Sequence, residues 1–144
     1  MFTVTLKPLL IAFFTDLSLL YMNKERKQIY DKTDGRCYYC GCDLPKRWHA
    51  DHLVPLYRND TCEEVETMGR VKGKDCIENL VPSCPRCNLR KDTFTLETFR
   101  KEIAAQVERL QKHSNQFRLA LDFGLIDITG KDVEFYFERS KKGK

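Results

Sequence analysis

Apolar residues recur every three to four positions from about Leu96 to about His113, and Phe99, Ile103, Val107 and Leu110 fall on one side. That period predicts a helix with one packing face. A shorter helix is predicted over 24–33, a polar run that stops at the turn pair Asp34-Gly35. Arg47 to Val54 reads as a strand whose continuation Pro55 limits, and Ile77 to Val81 as a second short strand. The polar stretch 57–75 between them contains Gly69 and Gly73 and reads as a loop. Cys84-Pro85 opens a short helix that carries Arg90 and Lys91. Near the end, Val133-Glu134-Phe135-Tyr136-Phe137-Glu138 alternates like a half-buried strand, after a turn at Thr129-Gly130. Ser140 to Lys144 is a basic, frayed end.

Residues 1–21 do not resemble the rest. Leu6 to Tyr21 is rich in Leu, Ile and Phe, but Lys7, Pro8 and Asp16 interrupt it. A bilayer span needs about 20 mostly apolar residues, and the unbroken run is far shorter. As a signal peptide the segment lacks a small-residue cleavage site before Met22. The expectation is an extension outside the native protein, with translation starting at Met22. An amphipathic helix packed on the domain is the alternative.

The 144 residues fit one domain with attached elements. With 42% hydrophobic and 32% charged residues, the chain is neither a disordered tail nor a membrane bundle. A net charge of +4 permits a polyanionic partner without requiring one. Seven cysteines, an odd count, argue against a secreted disulfide scaffold. They favour metal binding in a reducing, cytoplasmic compartment.

Four of the cysteines form two pairs, Cys37-x2-Cys40 and Cys84-x2-Cys87. Each pair presents two thiolates from a tight knuckle, and together they complete the tetrahedral four-sulfur site that structural zinc accepts. Buried free thiols are the plainer alternative, which two correctly spaced pairs disfavour. Cys42, Cys62 and Cys76 are left over, and Cys42 is close enough to replace Cys40 as a ligand.

Between and beside the pairs stand Asp51-His52-Leu53-Val54-Pro55, Glu78-Asn79-Leu80-Val81-Pro82 and Cys84-Pro85-Arg86-Cys87-Asn88-Leu89-Arg90-Lys91. In order and spacing these blocks resemble the HNH endonucleases, in the subgroup with a CxxC pair on each side. The likeness runs from about Gly35 to about Lys91, and more weakly into the tail. It implies an α+β fold: a ββα-metal (His-Me finger) core with a structural zinc, flanked by an N-terminal helix, a long C-terminal helix and a terminal strand. The implied division is an extension over 1–21, a nuclease domain over 22–95, and a helix and strand packing on it over 96–144.

The resemblance also implies phosphodiester hydrolysis in nucleic acid, mostly DNA, with one divalent ion. A histidine titrates near neutrality, so neutral His52 can take a proton from water. Asp51 and Asn88 would hold the ion, and Asn79 would fix the loop that positions His52. Where the family name implies a histidine, this chain has Asn88. A carboxylate with an amide oxygen favours Mg²⁺ or Mn²⁺ over the softer ions that imidazole suits. Arg86, Arg90 and Lys91 surround the helix start and suit phosphate contacts. Trp48 fits a core role better than base stacking. His49 reads equally well as a site neighbour or a surface residue, and His113 as a solvated one. Lys72, Lys74 and the basic tail read as solubility charge or as a track for a phosphate backbone. The competing function is a zinc-stabilised nucleic-acid-binding module without cleavage. A CxxC redox protein is weaker, because no βαβ setting accompanies the pairs. No membrane association is expected.

Overall fold

A computed structural model describes residues 22–142 of the chain; the expectations for 1–21 lie outside the described residues. Helix α1 (Lys24–Asp31) starts where the Asn23 side chain accepts the Arg26 N–H at 2.8 Å, satisfying a donor the helix itself cannot. Its buried residue is Ile29. Trp48 is a core residue: the Arg26 guanidinium lies 3.9 Å from its ring centroid and Tyr30 packs at 5.9 Å.

The chain then turns back on itself from Arg36 to Asp43. Cys37 N–H donates to Cys42 O at 2.8 Å and Gly41 N–H to Cys37 O at 2.9 Å. Gly41 sits at φ +78°, and a Cβ there would press on the Tyr136 ring, so the knuckle requires glycine twice over.

Strand β1 (His49–His52) pairs antiparallel with β2 (Leu80–Ser83), placing Asp51 opposite Val81 and His52 opposite Leu80. The second strand starts later than its sequence pattern suggests, because Ile77–Asn79 forms a single 3₁₀ turn first. The polar segment before it is not all loop. Helix α2 (Cys62–Thr67) is closed by a capping box between Thr61 and Glu64 and buries Val65 completely. Gly73 lies where this segment crosses the exit of β1, and its N–H donates to Pro55 O at 2.8 Å. A Cβ there would sit 2.1 Å from Val54 O, a backbone atom. Gly73→Ala is therefore expected to cost about 1–3 kcal/mol, as overpacking does. Urea unfolding checks this, with a lower midpoint at constant slope; an unchanged midpoint would show that the crossing yields.

Helix α3 (Pro85–Lys91) follows β2, with Cys84 as its cap and proline in the first turn, where the missing N–H costs nothing. Helix α4 (Leu96–His113) has the predicted extent and is capped by Thr95. Its stripe is only half used. Phe99 is buried and Ile103 packs on the core, but Val107 and Leu110 are 38% and 41% exposed. Helix α5 (Asn115–Asp122), unforeseen from the sequence, folds against the end of α4 after Ser114 caps it.

The terminal strand expected over Val133–Glu138 does not form. The chain instead enters helix α6 (Tyr136–Lys142). Tyr136 and Phe137 give their N–H groups to Tyr39 O and Tyr38 O, at 2.8 and 3.2 Å. The Glu138 carboxylate accepts the Phe135 N–H at 2.8 Å, turning the backbone into the helix. Phe135 enters the core against Tyr39 and Phe99, and Phe137 stacks on Tyr38 at 4.3 Å. Arg100 of α4 fixes this docking through both oxygens of Glu138. The tail's apolar residues thus cover the cysteine knuckle rather than extend the sheet.

Candidate active site and metal centre

The knuckle and the start of α3 bring five thiols together. The sulfurs of Cys37, Cys40, Cys42 and Cys84 all lie within 4.8 Å of one another, and Cys40 Sγ is 3.9 Å from Cys84 Sγ. A disulfide would need about 2.05 Å. Four thiolates on one tetrahedral zinc at about 2.3 Å stand roughly 3.8 Å apart, so this spacing fits an ion. The expected fourth ligand, Cys87, is outside that quartet but touches it. Its thiol hydrogen-bonds Cys37, and this contact holds the Cys37 thiol down at about 4 while raising that of Cys87. Cys42 is pushed up to about 12, first by burial and then by Cys40. Backbone N–H groups of Cys84 and Cys87 point at Cys37 Sγ and Cys84 Sγ, at 3.4 and 3.5 Å, which stabilises thiolate charge. The donor set is compatible with structural zinc. Arg86 sits against it, and its guanidinium pKa is raised first by a hydrogen bond with Cys40.

On the other side of α3, Asp51, His52 and Asn88 line one cavity of about 480 Å³, together with Ala50, Leu89 and Asp92. The β1 register puts Asp51 inward, where it is buried, and His52 toward the cavity. Burial pushes the Asp51 carboxyl above the usual carboxylate range, against the Tyr39 hydroxyl and Lys91. Tyr39 O–H donates to Asp51 Oδ2, and Lys91 Nζ lies 3.4 Å from the same oxygen.

Lys91 departs from the expected surface position. It is fully buried and its ammonium also donates to His52 O at 2.8 Å. A phosphate cannot reach it there. Arg86 and Arg90, one helical turn apart, line a different cleft between α3 and α4, beside Phe99 and Ile103.

Asn79 does not line the cavity. Its side chain ties the loop across the strands: Oδ1 accepts the Val54 N–H at 2.8 Å, and Nδ2 donates to Val54 O and Lys74 O, each at 2.9 Å. Two residues in the site escaped sequence reasoning. Asp75 Oδ1 meets His52 Nε2 at 2.9 Å, from a loop with no motif of its own. Asp92 lines both the cavity and the neighbouring cleft at Tyr57, with φ +45° and ψ −125°, a conformation foreign to most L-residues. Among the described residues no helix is long and apolar enough to cross a membrane.

No curated protein matches the chain closely. Residues 37–94 match the model of the family described as HNH endonuclease, a stretch that opens on the first cysteine of the knuckle and closes just past α3.

Proposed function

We propose that the protein is a metal-dependent endonuclease that hydrolyses phosphodiester bonds in DNA. The observation that carries this reading is the convergence of Asp51, His52 and Asn88 on one cavity. A base, a carboxylate and an amide oxygen at one open site are what hydrolysis of a phosphodiester needs, whereas a binding module needs none of them together.

In this reading His52 takes the proton from the attacking water. Asp51 and Asn88 hold the divalent ion, with Mg²⁺ or Mn²⁺ suited to two oxygen ligands. Bound there, such an ion polarises the phosphoryl oxygen and stabilises the leaving oxygen. Lys91 and Tyr39 keep Asp51 ionised and aimed, both acting on Oδ2. Asn79 holds the exit of β1 and so the backbone that carries His52. Arg86 and Arg90 take phosphates away from the scissile one, along the face of α3 turned toward α4. Four of the five clustered thiols would hold a structural zinc, which would join the knuckle to the start of α3, and so to Asn88.

The test is conversion of supercoiled plasmid by zinc-loaded protein in Mg²⁺, in Mn²⁺ and in neither. Nicking that requires added metal is the expected result. Retarded but intact DNA in every metal would overturn the reading in favour of a binding module without cleavage.

A further inference from the structure

The base reading leaves His52's second ring nitrogen unassigned, and the contact on Nε2 bears on it. Asp75 Oδ1 lies 2.9 Å from Nε2. An ionised carboxylate only accepts hydrogen bonds, so Nε2 must be the nitrogen that carries the proton. In a neutral imidazole the lone pair then resides on Nδ1. Asp75 also has the means to stay ionised in place. Its hydrogen bond with His52 lowers its carboxyl pKa, and Arg58 Nη2 lies 3.8 Å from its other oxygen.

The Asp75 side chain is 62% exposed, yet its backbone is tethered on both sides. Asn79 Nδ2 binds Lys74 O at 2.9 Å, and Asn79 N–H binds Cys76 O at 3.0 Å. One asparagine thus ties together the backbone on either side of Asp75 and the peptide at Val54, two residues beyond His52. A surface ion pair of this exposure contributes little to stability. The tethering has a different use.

We propose that Asp75 is a positioning residue for His52, fixing the imidazole with Nε2 protonated and Nδ1 free to accept the proton from water. The proposal rests on His52 being the base. Asp75→Ala is expected to lower the single-turnover cleavage rate about 10- to 100-fold, the usual loss when the group behind a functional imidazole is removed. Affinity for DNA, measured without added Mg²⁺ or Mn²⁺, should stay as in the wild type. In a His52→Ala background the same change should cost nothing more, because its effect passes through the ring. Losses that multiply, or a loss confined to DNA affinity, would overturn the proposal.

A second readout does not depend on cleavage. Imidazole ¹⁵N shifts of the zinc-loaded protein, taken where His52 is neutral, should report the Nε2–H tautomer in the wild type and a mixture in Asp75→Ala. A wild-type ring with the proton on Nδ1 would overturn the proposal even if the enzyme cuts. A wild-type Nε2–H ring in a protein that cuts nothing would instead bring down the nuclease reading and leave the pairing standing.

Discussion

Lys91→Ala is expected to destabilise the protein by about 3–5 kcal/mol, the cost of leaving a buried charge without its partner. The lysine is fully buried, its ammonium 3.4 Å from Asp51 Oδ2 and bonded to His52 O. Burial alone pushes the Lys91 ammonium pKa down, and Asp51 is the main opposing influence. Each charge is therefore tolerable only because of the other. Lys91→Met separates packing from charge. It restores most of the volume but still strands Asp51, so it should recover only a minor part of the loss. Adding Asp51→Asn to Lys91→Met removes the stranded carboxylate, and stability should return toward wild type although the ion ligand is gone. Urea unfolding without added Mg²⁺ or Mn²⁺ reads all three variants. If Lys91→Met alone matched the wild type, the lysine would be a packing residue and the electrostatic account would be wrong.

Lys91 also marks where sequence reasoning stops. That Asp51, His52 and Asn88 fall together is legible, because residue type and short-range spacing around a strand and a helix start bring them to one cavity. The side of α3 that Lys91 takes is not so written: beside Arg90 in sequence, it points inward while Arg90 lines the outer cleft. Tyr39 and Asp75 act on the site from the knuckle and from a loop, and only tertiary contact reveals them. The alternation of 133–138 carried a true signal, that Phe135 and Phe137 are both covered, but its partner is the backbone at Tyr38 and Tyr39 rather than a strand edge. Helix α2 is six residues with one buried side chain, too short for a period to show.

That the cysteines cluster in a way compatible with zinc is legible in the sequence, but the membership is not, since five thiols compete for four positions. One zinc per chain is expected in the purified protein, and its loss should unfold the molecule. Structural zinc in small domains contributes on the order of 10 kcal/mol, comparable with the whole stability of such a fold. Here the ion would join the 37–42 turn to the start of α3, and the elements that cover the knuckle, α4 and α6, rest on that junction. Cys84→Ser is the sharpest variant. Cys84 caps α3 through its sulfur, and serine is itself a good cap, so the helix start survives while a thiolate is lost. Zinc content near zero and loss of the far-ultraviolet helix signal are expected, matching the wild type treated with a chelator. Cys42→Ser and Cys87→Ser then decide the membership. The quartet with all sulfurs within 4.8 Å includes Cys42, whereas the paired spacing favours Cys87. Only one of the two substitutions should release the metal. If a chelator left the fold and its melting temperature unchanged, the thiols would be holding the knuckle by their own hydrogen bonds and the structural role of zinc would fall.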